Sequence, residues 1–252
     1  MGKRKALIAG NWKMHTTVVD GCRLAIDVAK TCKKFDDREV LIAPPFTILS
    51  EVAHVLVDSK IILASQNVCW AEKGAFTGEI SPVMVKDAGG SAAIVGHSER
   101  RQIFGETDAL VNNRVKGATA FGLITLLCIG ETLSEREGGE TFTILADQLK
   151  KGLASLAVAD MKNIVIAYEP VWAIGTGKTA TKEQAQEVHA FIRGVVANIF
   201  EKTVAEQTRI LYGGSVKPSN IDELMAQVDI DGVLVGGAAL DAESFGRIIN
   251  YQ

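Results

Sequence analysis

A closed (β/α)8 barrel in the α/β class is the fold this chain predicts, on three observations. Eight short apolar runs with strand character recur along it, separated by longer segments of helical periodicity. The runs are apolar almost throughout, which suits parallel strands buried on both faces. The length of 252 residues matches one barrel, a fold that runs to about 250 residues as a single domain. No composition shift, low-complexity tract or Pro/Ser-rich linker marks a boundary, so one domain spanning 1–252 is expected. A doubly wound open sheet is the competing arrangement.

The first run, Ala6–Gly10, leads into Thr17–Lys34, where Val18, Cys22, Ala25, Ile26 and Ala29 form one stripe. Val40–Ala43 leads into a similar segment, Phe46–Val57. After Ile61–Ser65, Ser81-Pro82 reads as an N-cap followed by proline at the first helical position, where no N–H is needed. Ala92–Val95 precedes Thr107–Ala120, and Ile124–Ile129 precedes Thr141–Leu156. Ile164–Tyr168 precedes Thr181–Phe200, which opens with a capping box from Thr181 to Gln184. Ile210–Tyr212 and Gly232–Val235, with helical segments Pro218–Met225 and Ser244–Ile249, complete the series.

Composition excludes several classes. The apolar share of 47% supports a large core, and a formal charge of −3 gives no general attraction for nucleic acid or a membrane surface. No apolar run approaches the ~18 residues of a membrane span. Cys22, Cys32, Cys69 and Cys128 show no CxxC pair and no metal-ligand spacing, which favours packed thiols and a reducing compartment. The basic start Met1-Gly2-Lys3-Arg4-Lys5 is followed by too short an apolar stretch for a signal peptide. A cytoplasmic location is expected.

If the sheet closes, the strand ends meet on one rim, where active sites of this architecture gather. Polar residues just past the runs are Asn11 and Lys13, Gln66 and Asn67, His97 and Glu99, Glu131 and Glu169. Gly213-Gly214-Ser215 and Gly236-Gly237 follow the last two runs. Glycine pairs leave backbone N–H groups open to an anion, and two pairs at matching positions beside Ser215 favour a phosphate site. Glu169 ends its strand at Pro170, under a loop, 170–181, with bulky ends and a glycine-bearing tip. That arrangement suits a base beneath a lid; an ordinary connection with a solvated Glu169 is the alternative. His97 stands at the mouth of Ser98-Glu99-Arg100-Arg101, a helical first turn whose partial positive charge disfavours imidazolium. A carboxylate facing a neutral donor near a phosphate grip suits proton transfer α to a carbonyl. The base needs a raised pKa, which burial beneath Ile174 and Leu234 would provide. The His97 donor and Lys13 would stabilise an enediolate oxygen, and the closed lid would exclude water.

Three motif matches fail. Gly175-Thr-Gly177-Lys-Thr-Ala180 fits a dinucleotide fingerprint by letter, but Pro170 intervenes and no acid ends the next strand. Gly177-Lys178-Thr179 lacks the first P-loop glycine, where Trp172 stands. The sixth strand ends in Glu169 rather than a Schiff-base lysine. No cofactor and no metal is called for.

Five motifs in order carry a resemblance that runs essentially end to end: Gly10-Asn11-Trp12-Lys13, Val95-Gly96-His97-Ser98-Glu99-Arg100-Arg101, Ala167 to Gly177, Tyr212-Gly213-Gly214-Ser215-Val216 and Leu234-Val235-Gly236-Gly237. The chain resembles the triosephosphate isomerase family, the TIM barrel enzymes. That resemblance implies interconversion of dihydroxyacetone phosphate and glyceraldehyde 3-phosphate in glycolysis and gluconeogenesis, without a cofactor. It implies that Glu169 shuttles the proton, His97 with Asn11 polarises the carbonyl, Lys13 balances substrate charge and Glu99 supports Lys13. Backbone amides of Gly175, Ser215, Gly236 and Gly237 would hold phosphate. Tyr212 and Ser215 would latch the closed lid, Trp172 would pair with Glu131 when it is open, and Ile174 and Leu234 would clamp the site.

The resemblance also implies a homodimer through loop 66–79, with Thr77 reaching toward the partner subunit's Asn11 and the partner subunit's Lys13. Cys69, Trp70 and Phe76 are expected to form an exposed apolar patch on a lone subunit. Ala239 departs from the family, where many members carry Ser. A non-catalytic phosphometabolite-binding barrel and a phosphosugar aldolase or lyase on the same fold are the alternative functions.

Overall fold

Eight parallel strands close in chain order: β1 (Ala6–Asn11), β2 (Arg38–Ala43), β3 (Ile62–Ser65), β4 (Ala92–Val95), β5 (Ile124–Ile129), β6 (Ile164–Tyr168), β7 (Arg209–Tyr212) and β8 (Gly232–Val235). The computed structural model describes residues 4–32, 36–174 and 179–252. β8 pairs back on β1, with Leu7 opposite Gly232 and Gly10 opposite Val235, which excludes the open sheet. All eight runs read from the sequence are strands, with ends shifted by at most two residues.

Side chains alternate along each strand between the barrel interior and the surrounding helices. Leu7, Ala9, Leu41, Ala64, Ile94, Leu126, Cys128, Val165, Ala167, Leu211 and Leu234 pack together as an inner cluster. Ile8, Ile42, Val95, Ile129, Ile166, Tyr168, Tyr212 and Val235 belong to the larger layer between strands and helices. Each large aliphatic side chain so buried contributes about 1.5–3 kcal/mol before ordering entropy is subtracted. The same alternation aims the site. Asn11 continues the face of Leu7 and Ala9, and Glu169 continues that of Val165 and Ala167. Gly213 follows Leu211 and Gly236 follows Leu234, so four rim residues inherit an inward heading from apolar neighbours.

Local signals place most helices. Ser81 accepts the Met84 amide at the start of the helix Pro82–Asp87, and Thr107 caps Asp108–Ala120. The capping box of Thr181 and Gln184 opens Lys182–Ile199, the helix that follows loop 170–181. Three differences stand out. In the helix Val18–Thr31 the buried face is Gly21, Ala25 and Val28, whereas Val18 and Ile26 of the expected stripe are exposed. Gly21 lies against Ile48 with no room for a Cβ, so close approach at a glycine turns the helix away from its larger apolar residues. Phe46–Val57 divides into a 3-10 turn, Phe46–Ile48, and the helix Leu49–Val55. Two short helices, Leu133–Glu137 and Lys202–Gln207, were not anticipated, although Thr132 and Glu135 form a legible capping box for the first.

Loop 66–79 corrects another expectation. Val68 and Cys69 are buried, the Cys69 amide donating to Ile80 O, and Trp70 is half-buried against Gly117 and the Arg114 guanidinium. Phe76, edge-on to Trp70 at 5.2 Å, is the exposed apolar residue of the three. The interior thiol position follows from inward packing of the loop's base, which the sequence pattern did not distinguish from its tip.

Candidate active site

Glu169, the residue expected to act as base, lies one residue beyond β6. Its amide donates to Ile129 O, extending the β5–β6 pairing by one bond and fixing the backbone at the rim. Gly130 and Gly213 flank it on β5 and β7. A Cβ at Gly130 would overlap the Glu169 carbonyl oxygen, and one at Gly213 would lie 2.9 Å from Glu169 Cγ. Both glycines exist to let the strand ends close on this side chain.

The Glu169 carboxylate, 2% exposed, accepts two N–H bonds. His97 Nε2 lies 2.9 Å from Oε1, and the Ser98 amide donates to Oε2 at 2.9 Å. His97 is the N-cap of the short helix Ser98–Gln102, and its Nδ1 accepts the Glu99 amide at 3.2 Å. With Nδ1 accepting the Glu99 amide, Nε2 is the ring nitrogen that donates toward Glu169. Burial pushes the Glu169 pKa up, but the His97 ring and the Ser98 amide outweigh it and hold the carboxyl below its usual range. Burial pulls His97 down, and the adjacent Glu169 charge more than reverses that, leaving it raised. The raised base expected from burial alone is therefore absent from this arrangement: the carboxylate is held by donors.

Asn11 and Lys13 approach from β1. Asn11 Oδ1 accepts the Lys13 amide at 2.9 Å, and Gln66 Nε2 donates to Lys13 O at 2.7 Å. These bonds hold Lys13 at φ 52°, in the left-handed region that a side-chain-bearing residue seldom adopts. Lys13 Nζ meets Glu99 Oε1 at 2.6 Å, and its stem passes Gly236, where a Cβ would lie 3.3 Å from Cε.

Glu169 and His97 line a pocket of roughly 380 Å³ together with Gly213, Gly214, Ser215, Gly236, Gly237, Asn11, Lys13, Ile174 and Leu234. A 3-10 turn, Gly237–Leu240, begins at this wall, adding a short helical N-terminus where anions are favoured. Ala239 is fully buried behind it, near the Cβ position of Gly10. Gly175 lies outside the described residues.

Glu131 holds the start of loop 170–181. Its Oε1 accepts from Tyr168 OH at 3.1 Å, Trp172 Nε1 at 2.9 Å and Arg136 at 3.1 Å, all from a fully buried position. The Arg136 guanidinium also stacks over the Trp172 ring at 4.5 Å. Arg136 was missed in the sequence, though it directly follows the Thr132–Glu135 capping box. At the far end of that loop, burial pushes the Tyr212 hydroxyl up to about 12, partly offset by the Ala180 backbone amide. Ser98 was missed as a donor because its role belongs to its amide, and Lys217 on the pocket wall was also missed.

A buried carboxylate and imidazole beside glycine-rich turns at the C-terminal rim of a closed barrel place the chain among (β/α)8 enzymes, whose sites gather at that rim. The sequence matches the triosephosphate isomerase family over residues 6–252. It is 56% identical over 249 residues to the triosephosphate isomerase of Geobacter metallireducens, covering 99% of each chain. The corresponding enzyme of Geotalea uraniireducens is 53% identical over the same span, with 99% of each chain covered. That of Thermoanaerobacter pseudethanolicus is 50% identical over 248 residues, which is 98% of this chain and all of that protein. The chain belongs to the triosephosphate isomerase family.

Proposed function

We infer that the chain interconverts dihydroxyacetone phosphate and D-glyceraldehyde 3-phosphate through an enediolate. The observation that carries this is the 2.9 Å approach of His97 Nε2 to Glu169 in the pocket that Ser215 and the glycine pairs also line. A triose phosphate whose phosphate rests on that wall brings its carbons between the two side chains. Glu169 then leaves the Ser98 amide and the His97 donor and turns to the substrate. Freed of those hydrogen bonds but still buried beneath Ile174 and Leu234, its pKa rises, which makes it a base. It takes the proton from one carbon and returns it to the next. The His97 Nε2–H donates to the oxygen on which charge develops, with Asn11 beside it and Lys13 nearby. Glu99 anchors Lys13. Trp172 on Glu131 is the lid's resting contact, and Tyr212 and Ser215 receive the closed lid, which keeps water from the intermediate.

A coupled assay with glyceraldehyde 3-phosphate tests this reaction. Turnover that disappears in Glu169→Gln is expected; binding of substrate without turnover by the unaltered protein would return the binding-barrel alternative. A substrate imine trapped by borohydride would favour the aldolase alternative.

The same reading takes the working form as a cytoplasmic homodimer joined through loop 66–79. Exposed Met14, Phe76, Ile103 and Phe104 support it. Among the described residues, no helix is long and apolar enough to cross a membrane. Sedimentation at micromolar concentration is expected to give twice the 27.0 kDa chain mass; a monomer there would refute the dimer.

A further inference from the structure

Charges on the pocket wall are unevenly compensated. Lys13 is bound to Glu99 at 2.6 Å, so its positive charge is met largely within the protein. Glu169 adds a negative charge beside it, kept ionised by the His97 and Ser98 donors. A doubly charged phosphate entering the pocket therefore gains no net attraction from these three groups together. Backbone amides of the glycine turns can hold such a group at short range, but partial charges draw nothing from a distance.

Lys217 changes that balance. It lines the same wall, two residues beyond Ser215, and makes no ion pair with a carboxylate among the described residues. Its backbone is fixed by Asn220, whose Oδ1 accepts the Lys217 amide at 2.8 Å and whose Nδ2 donates to Ser215 O at 3.0 Å. Asn220 thus ties both ends of the turn that joins the phosphate wall to the lysine. Lys217 is exposed where it lines the pocket.

We propose that Lys217 is a phosphate-recognition residue that supplies the uncompensated positive charge drawing a phosphate dianion onto Ser215 and the glycine pairs. The proposal rests on the triose phosphate reading for its natural ligand, while inorganic phosphate tests it separately. Lys217→Met keeps the length of the side chain and removes its charge. At low ionic strength its kcat/KM for glyceraldehyde 3-phosphate falls by about fivefold to thirtyfold, mostly through KM, as expected for one charge facing a dianion in a wet site. Inorganic phosphate becomes a weaker ligand by a similar factor, read by titration calorimetry without turnover. Both losses shrink near 1 M salt, where the screening length is about 3 Å, and Lys217→Arg recovers most of each. Unchanged KM and phosphate affinity at low salt overturn the proposal, as does a loss indifferent to salt. Should the protein bind phosphate in a Lys217-dependent way yet turn over no triose phosphate, the isomerase reading fails and this one stands.

Discussion

His97 and Glu169 are joined at 2.9 Å through Nε2 and Oε1, the nitrogen that carries the ring proton facing the carboxylate. Acid and base are thus engaged with one another, and each shifts the other's ionisation. Substrate must part them, and the free energies of that separation shape the pH profile.

Ser98→Pro tests the hold on the base. Position 98 is the first residue of its helix, where proline is tolerated, and His97 at φ −50°, ψ 142° has the extended geometry that precedes proline. The substitution removes the amide that binds Glu169 Oε2, which lowers the carboxyl's pKa. In the proposed mechanism activity requires ionised Glu169 and is lost as pH falls through its pKa. The acid limb of kcat/KM is therefore expected to move to higher pH in the variant. A limb that stays in place would separate Ser98 from the control of Glu169.

Glu169→Asp withdraws the carboxylate by one methylene. A misplacement of that size costs about a hundredfold in kcat, while the backbone bond to Ile129 O and the fold are retained. Steady-state kinetics beside a melting curve is the check, and an unaltered kcat would remove Glu169 from the chemistry.

His97→Gln replaces a donor aimed at the developing oxyanion. Loss of one such donor costs about 10²–10³ in kcat, with KM little altered because the phosphate wall is untouched. A variant that loses substrate affinity and keeps kcat would assign His97 to binding.

Gly213→Ala places a methyl group 2.9 Å from Glu169 Cγ and 3.2 Å from Tyr168 O. Overpacking of this kind costs about 1–3 kcal/mol, and the movable partner is the base. A fall in kcat larger than the loss of thermal stability implies is expected; wild-type kcat would mean that the rim absorbs the methyl elsewhere.

His189, buried behind Tyr168 and Tyr212, predicts an acid limb in stability. Burial pulls its pKa down from 6.5 to about 4, opposed by its bond to Asp229 O and reinforced by Arg193. Between those values the unfolded chain binds a proton that the folded one refuses. Stability is thus full above about 6.5 and declines as pH falls toward about 4, by on the order of 3 kcal/mol in all. In denaturant titrations across that range, the native chain's stability is expected to fall relative to that of His189→Phe as pH drops. Parallel curves would remove His189 from the acid response.

The barrel was legible in the sequence because strands buried on both faces leave continuous apolar runs, and Ser81, Thr107 and Thr181 mark helix starts by local hydrogen bonding. Lys202–Gln207 carries no cap bond of its own, and the rotation of Val18–Thr31 depends on contact at Gly21 with a distant Ile48. Neither leaves a local trace. Glu169 and His97 were legible as strand-end polar residues. The ionisation of Glu169 was not, because it depends on a backbone amide and a tautomer that only the folded geometry supplies.

The left-handed backbone at Lys13 carries a lesson for anyone breeding a hardier variant. A glycine there would relieve about 1 kcal/mol of conformational penalty and forfeit only a half-exposed ion pair, so selection on heat resistance alone would favour the exchange. The survivors would be sturdier barrels without their ammonium group, and only a screen that also demands turnover would discard them.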